Sequence, residues 1–224
     1  MSKTPPYYTP EERRKRIFGI IGAASGNLVE WFDFYIYAVF ATYFTVALTG
    51  PADGTKGTFL VWGAFALSFF MRPLGSWLFG WIADKYGRKK SMLISIVMMG
   101  LGSFCFALLP TYEHIGIWAP ILLLVVRMFQ GLSVGGEYGA VATYMSEVAL
   151  RGRRGFYASF QYVTLSGGQL LASLLGVVLL TFMSTEQLEA GGWRIPFFIG
   201  GLAALVSLWV RRTIDETTTA EQRE

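Results

Sequence analysis

The sequence contains few of the residues from which metal sites, disulfide scaffolds and hydrolase active sites are built. One cysteine and one histidine occur among 224 residues, so an intrachain disulfide is excluded and a zinc or haem site lacks ligands. A phosphate-binding loop is also absent. Charged residues make up 15% of the chain, whereas a soluble domain carries about 25%. We therefore expect no metal, no cofactor and no enzyme activity.

Apolar residues are in excess, at 53% of the sequence. A run of about 20 apolar residues spans a bilayer as a helix, and strict apolar/polar alternation, typical of a membrane β-barrel, is not found. Six runs are long enough to span: Ile17–Leu48, Thr58–Ala83, Ser91–Pro110, Ile117–Tyr144, Phe156–Met183 and Ile195–Val210. The predicted fold is an all-α membrane protein with six transmembrane helices. Because the connections are short, consecutive helices are expected to be neighbours.

The first run follows the basic stretch Arg13–Arg16, as a signal peptide would. It is too long for one, contains Glu30 and Asp33, and has no Ala-x-Ala site after it. We therefore interpret it as a retained span. The predicted domains are an N-terminal tail over 1–16, a membrane domain over 17–211, and a polar tail or the start of a central linker over 212–224.

Positive charges collect on one side of the predicted membrane. Of 19 lysines and arginines, two, Lys56 and Arg194, fall on one side, and 15 fall on the other, in the two tails, in the second-to-third and fourth-to-fifth connections and, for Arg211, at the end of the last span. The positive-inside rule then predicts that both termini are cytoplasmic. It also explains the net charge of +4 without a nucleic-acid partner, and membrane lipid is the expected surrounding.

Five charged residues lie inside predicted spans: Glu30, Asp33, Arg72, Arg127 and Glu137. Each costs about 2.5–3.5 kcal/mol at the centre of a helix on insertion scales, and such groups usually mark ion, proton or substrate pathways.

Helical spacing groups polar residues on three spans. The stripes are Asn27, Glu30, Asp33 and Tyr37 on the first, Arg127, Gln130, Glu137 and Tyr138 on the fourth, and Ser159, Tyr162, Ser166, Gln169 and Ser173 on the fifth. They predict a common aqueous cleft, and the alternative is that the polar groups only join helices. Glycines at 22, 26, 131, 135, 139, 167 and 168 are expected at close helix contacts.

The second-to-third connection carries a motif, Gly80-Trp-Ile-Ala-Asp84-Lys-Tyr-Gly87-Arg88-Lys-Lys90. It resembles the G-x-x-x-D-x-x-G-R-[RK]-x signature of the major facilitator superfamily, and it lies on the predicted cytoplasmic side. The resemblance implies an inner gate of ion pairs. We assign that role to Asp84 and Arg88 and, from the end of the fourth span and the loop after it, to Glu147 and Arg154.

Three further stretches, Ser25–Tyr35, Met71–Gly75 and Trp193–Phe197, resemble the metabolite:proton symporter family. Within that family, Gln130–Tyr138 and Tyr157–Thr164 are most similar to the α-ketoglutarate permeases of bacteria. The resemblance runs from about Arg14 to Glu216. It implies symport of an organic anion with a proton across the bacterial inner membrane by alternating access.

The resemblance also implies site residues. An anionic substrate favours arginine, which binds carboxylates bidentately, so Arg72 is the first candidate for substrate contact. The other substrate-binding candidates are Tyr37, Gln130, Tyr138, Tyr162 and Gln169. Similar sugar/proton carriers pair an acid on span one with an arginine on span four, and Asp33 and Arg127 match those positions. Glu30 and Glu137 are the reserve proton-coupling acids.

Carriers of this superfamily have two six-helix halves with the substrate between them. The expected fold is therefore the N-terminal half-bundle, and the chain is a fragment, a truncated product or a half that pairs with a C-terminal six-helix chain. The alternatives are a symporter for citrate, shikimate or proline betaine, and a non-transporting half or scaffold that needs a partner chain.

Overall fold

Six long helices carry the fold in the computed structural model, which describes residues 9–51, 54–150 and 152–213. They are α1 (Pro10–Thr49), α2 (Gly54–Tyr86), α3 (Arg88–Ala107), α4 (Trp118–Val148), α5 (Phe160–Phe182) and α6 (Arg194–Arg212). All six are long and apolar enough to cross a membrane. The described residues contain no strand, so the predicted all-α membrane fold with six transmembrane helices is confirmed.

Short helical turns fill the connections, at Tyr112–Ile115, Arg154–Ala158, Thr185–Gln187 and Leu188–Gly192. The fifth predicted run, Phe156–Met183, is broken at Ser159, and the third helix ends at Ala107 rather than at Pro110. Of the predicted tails, residues 1–8 and 214–224 lie outside the described residues, whereas residues 10–16 belong to α1.

The first helix begins before the apolar run does. Pro10 occupies its first turn, where the missing N–H is not needed. Thr9 and Glu12 form a reciprocal capping box, with the Glu12 carboxylate accepting from the Thr9 N–H at 2.8 Å. These contacts extend the helix to Pro10, seven residues before the predicted start at Ile17.

The α2–α3 connection is a tight turn at Gly87, the glycine of the gate motif. Its φ of 99° lies in the left-handed region that favours glycine. The turn lets α3 begin directly at Arg88.

The most extensive packing joins non-consecutive helices: α2 with α4, α1 with α5, and α3 with α6. The expected contact between consecutive helices is found for α1–α2, α2–α3 and α3–α4, but each of these contacts is smaller than the three non-consecutive ones. This arrangement is possible because each connection crosses the end of the bundle and does not determine which helices pack side by side.

Glycines set the α2–α4 contact. A Cβ at Gly131 or Gly135 would collide with the backbone of Ser68 or Arg72, and one at Gly75 would collide with Leu132. Ser76 Oγ donates to the Gly135 carbonyl at 2.7 Å. The predicted small-residue contact is confirmed here, as it is at Gly168, which faces the backbone of α1.

Gly139 does not follow this pattern, because nothing lies within 4 Å of the position of its Cβ. The expected close contact at Gly139 is therefore wrong. At Gly26 the neighbour is a side chain, the Arg211 guanidinium, in place of a helix backbone.

Two apolar clusters flank a polar layer. One is rich in buried aromatic rings, with Phe44, Phe106, Trp193 and Phe197 in mutual contact. The other lies around Met92, Val141 and Tyr144. The buried ionisable groups of α1, α4 and α6 lie among these clusters.

Candidate functional site

A cavity of about 370 Å³ opens among α1, α2, α4 and α5. Its polar lining comes from Glu30, Arg72, Ser76, Tyr138, Gln161 and Tyr162. Tyr138 and Tyr162 are exposed, so the cavity is open at the surface of the bundle. Part of the predicted common cleft is thus present, with four of the predicted site residues in its wall.

Arg72 presents its guanidinium to this cavity from α2. The guanidinium carbon lies 4.3 Å from the centroid of Phe69, 5.4 Å from Phe34 and 5.9 Å from Trp31. Aromatic faces attract a cation without accepting its N–H hydrogens in line, and Nε of Arg72 has no hydrogen-bond partner. The arginine is therefore held in place while donor capacity stays available to an anion.

Glu30 lies across the same cavity on α1. Its side chain is 2% exposed, and Oε2 has no hydrogen-bond partner. A buried carboxylate oxygen without a partner is costly when ionised. The site therefore contains a buried acid with one carboxylate oxygen that no protein group satisfies.

Asp33, one turn further along α1, lies in a separate and closed network. Oδ1 accepts from Ser103 Oγ at 2.5 Å, and Oδ2 accepts from Gln130 Nε2 at 3.1 Å. Arg127 Nη1 is 3.6 Å from Oδ2 and donates to Gln130 Oε1 at 2.9 Å. Gln130 thus bridges the acid and the arginine, and the predicted Asp33–Arg127 pairing is present at the atomic level.

Aromatic rings enclose the other side of Arg127. Its guanidinium carbon lies 4.1 Å from the centroid of Tyr37 and 5.9 Å from that of Phe65. Tyr37 is itself fixed, because its hydroxyl donates to the Val61 carbonyl at 2.6 Å. Nε of Arg127 has no hydrogen-bond partner, so the arginine is only partly satisfied by Asp33 and Gln130.

Glu137 pairs with Arg211, which the sequence interpretation missed. Arg211 is 1% exposed, and its guanidinium contacts both carboxylate oxygens of Glu137, one of them from Nη1 at 2.9 Å. Ser95 Oγ also donates to Glu137 at 2.8 Å. Arg211 had been counted among the cytoplasmic charges that set topology, and this is a correction. The available signal was Glu137 itself, a buried acid that needs a cation.

Arg211 also donates hydrogen bonds to three backbone carbonyls. Its nitrogens donate to the carbonyls of Gly22 at 3.2 Å, Ala23 at 3.0 Å and Met92 at 2.9 Å. Gly26 leaves the space that the guanidinium fills. Arg211 therefore connects α6 to α1, α3 and α4 at one point.

The predicted gate residues lie at the ends of the helices. Arg88 Nε is 3.0 Å from Glu147 Oε1, which joins the start of α3 to the last turn of α4. Asp84 and Arg154 are exposed, the first in the last turn of α2 and the second at the start of the turn that precedes α5.

Three predicted substrate residues lie elsewhere. Tyr37 and Gln130 belong to the network around Asp33 and Arg127, and Gln169 is exposed on α5, outside the cavity lining. Asn27, predicted for the cleft, donates to Thr164 Oγ1 at 2.6 Å and joins α1 to α5. Among the described residues no cluster of His, Cys, Asp or Glu could hold a metal ion.

Six membrane-spanning helices around a polar layer define the chain as the six-helix N-terminal half-bundle of a major facilitator transporter. The chain belongs to the sugar (and other) transporter family, whose model matches residues 19–219. The prediction of a transporter rather than an enzyme is confirmed by this membership.

Similar proteins agree with the assignment. The chain is 59% identical over 215 residues to the alpha-ketoglutarate permease of Escherichia coli K12, covering 96% of this chain and 50% of the relative. It is 35% identical over 202 residues to the citrate-proton symporter of Klebsiella pneumoniae, covering 90% and 46%. The chain thus spans about half the length of the curated relatives it matches.

The fold is that of the proton:xylose symporter XylE bound to 6-bromo-6-deoxy-D-glucose, a major facilitator superfamily protein. The TM-score is 0.83 at 19% identity, over 92% of this chain and 46% of the other. At this identity the likeness concerns the fold.

Proposed function

We propose that the chain forms the N-terminal half of a proton-coupled symporter for a dicarboxylate such as α-ketoglutarate. The observation that carries the proposal is Arg72, a guanidinium held against aromatic rings in the wall of an open cavity within the membrane domain. A relative at 59% identity that is an alpha-ketoglutarate permease supports the same substrate class.

Arg72 binds one substrate carboxylate. A guanidinium forms two parallel hydrogen bonds to a carboxylate, and the neighbouring Tyr138 and Tyr162 hydroxyls supply further donors from α4 and α5. Tyr37, Gln130 and Gln169 remain candidates for contact in other conformations of the transport cycle, since they lie outside this cavity.

Asp33 and Arg127 couple proton movement to alternation. With Asp33 ionised, the acid, Gln130 and Arg127 form one network. Protonation removes the negative charge that holds Arg127, and the guanidinium is then retained by the Tyr37 ring and Gln130. Glu137 serves this role less well than Glu30, because Arg211 already pairs with it.

The gate is made by Asp84, Arg88, Glu147 and Arg154, of which Arg88 and Glu147 form an ion pair. Pairing draws the ends of α3 and α4 together, and its release would let them separate. In this proposal the gate faces the cytoplasm of a bacterial cell, the membrane is the inner membrane, and both termini of the chain are cytoplasmic. The tails occupy 1–16 and 212–224, and the membrane domain occupies 17–211.

A second six-helix half completes the substrate site. The cavity is open, and each relative extends to about twice the matched length. The 35% identity to a citrate-proton symporter supports citrate as an alternative substrate. Shikimate and proline betaine, or a scaffold role without transport, are the other outcomes of the test.

The test is co-reconstitution of this chain with the C-terminal half of the E. coli relative in proteoliposomes. We expect uptake of labelled α-ketoglutarate driven by an inward proton gradient, and none from either half alone. Competition by citrate, shikimate and proline betaine identifies the substrate class. Uptake that is absent from the pair, while both halves are inserted and associated, would leave only the scaffold role.

Two variants test the site. Arg72→Lys keeps the charge but loses bidentate geometry, so the half-saturating substrate concentration should rise at least about tenfold, equivalent to one lost charged hydrogen bond. Asp33→Asn should abolish proton-driven accumulation while exchange of labelled for unlabelled substrate continues. Unchanged affinity in the first variant, or full accumulation in the second, contradicts the assigned role.

A further inference from the structure

Glu30 lies in the substrate cavity, whereas Asp33 lies outside it. Glu30 and Arg72 are the charged side chains among the described residues that line this cavity. Asp33 accepts hydrogen bonds from Ser103 and Gln130 and is paired with Arg127. The two acids of α1 therefore face different surroundings although one helical turn separates them.

The charge of Glu30 decides whether the cavity attracts a dianion. When Glu30 is ionised, its charge and that of Arg72 cancel, and a second carboxylate would approach a like charge. When Glu30 is protonated, the cavity carries the single positive charge of Arg72 and gains an O–H donor. Oε2 has no partner in the protein, so no protein acceptor competes with the substrate for this donor.

Several other ionisable groups lie around Glu30. They are Asp33 on α1, Arg72 on α2, Glu137 and Tyr138 on α4, Tyr162 on α5 and Arg211 on α6. Glu137 and Arg211 neutralise each other in a contact pair, and Asp33 is matched by Arg127. Arginines stay charged and tyrosines stay neutral between about pH 5.5 and pH 8.5. Glu30 is the acid in this set that lacks a contact partner.

We propose that Glu30 is a specificity-determining residue that admits the dicarboxylate only in its protonated form, so that proton binding precedes substrate binding. This inference rests on the proposed function and deepens it. Glu30 takes its proton from water in the open cavity, and its carboxylic O–H donates to the substrate carboxylate that Arg72 does not hold. Departure of the substrate lets the proton return to water on the other side. Asp33 governs alternation and is not required for this ordering.

The experiment measures the half-saturating concentration of labelled α-ketoglutarate for exchange in the co-reconstituted carrier, between about pH 5.5 and pH 8.5. Both substrate carboxyls are ionised throughout, since carboxyls titrate near pH 4. One proton strictly linked to binding weakens apparent affinity by up to about tenfold per pH unit. We expect this slope in the wild-type carrier and in Asp33→Asn, and a flat, tight profile in Glu30→Gln.

Glu186→Gln is the matched control, because Glu186 is an exposed glutamate in the turn before α6, and it should reproduce the wild-type slope. A persistent slope in Glu30→Gln, or loss of its affinity at every pH, would overturn the inference while the proposed function stands. Loss of the slope in Asp33→Asn would also overturn it, by assigning the proton to Asp33. A wild-type pair that does not exchange α-ketoglutarate removes the proposed function and this inference together.

Discussion

The buried pair between Glu137 and Arg211 should be the most stability-sensitive ionic contact of the bundle. Removing one member of a buried pair costs about 3–5 kcal/mol, because the other charge is left uncompensated. Arg211 also donates to three backbone carbonyls, which places Arg211→Gln at the upper end of that range. For a chain of this size each kcal/mol lowers Tm by about 2–4 °C, so the expected loss is about 6–20 °C.

The assay is thermal unfolding in detergent, followed by the fluorescence of the seven tryptophans. Glu137→Gln and Arg211→Gln should each be destabilised, because each leaves the other member of the pair buried without a counter-charge. Replacing both residues, as Glu137→Met with Arg211→Met, should restore much of the loss, since an apolar pair removes both charges.

Unfolding of either single variant within about 2 °C of the wild type, which corresponds to less than 1 kcal/mol, would contradict the stabilising role of the pair. This role would also be contradicted if the double variant lost as much as the two single variants added together. That additivity would mean that the two side chains act independently.

Three smaller perturbations separate packing, hydrogen bonding and surface charge. Gly135→Val should push α2 away from α4 and lower the free energy of unfolding by about 1–3 kcal/mol through overpacking. The control Gly139→Val, whose side chain would enter open space, should unfold near the wild-type temperature. Equal losses of stability in the two variants would contradict the backbone contact at Gly135. Ser103→Ala removes a hydrogen bond to a charged group and should cost about 1.5–3 kcal/mol in the same assay, and no change would mean that Asp33 does not need this donor. Arg88→Gln breaks a pair that is partly exposed, so its cost should stay below about 1 kcal/mol while the uptake rate changes. A large stability loss there would contradict a gating role.

The six membrane spans could be predicted from the sequence because the apolar excess and the length of a run are local properties of the chain. Their order in space could not, since the α2–α4, α1–α5 and α3–α6 contacts depend on which surfaces fit. The glycines at 131 and 135 pointed to a close contact, but Gly139 has the same spacing and faces open space. A small-residue pattern therefore predicts that a helix has a contact face without defining its extent.

The buried ionisable groups could also be found from the sequence, but their surroundings in the bundle were predicted less well. Asp33, Arg127, Glu30 and Arg72 stand out because charge is costly in a span. The helical stripe on α1 did not reveal that Glu30 faces the cavity while Asp33 faces α3 and α4. Arg211 was missed because an arginine at the end of a span satisfies the positive-inside rule equally well on the surface or folded back into the bundle.

The contact between Glu137 and Arg211 has a consequence for synthesis. The two residues are 74 positions apart, and a ribosome delivers the glutamate first. Until the sixth helix arrives, the nascent chain holds an acid in the membrane whose cation has not yet been made. The last helix to be inserted thus completes the electrostatics of the earlier ones, and a chain stopped before position 211 would leave Glu137 without its cation.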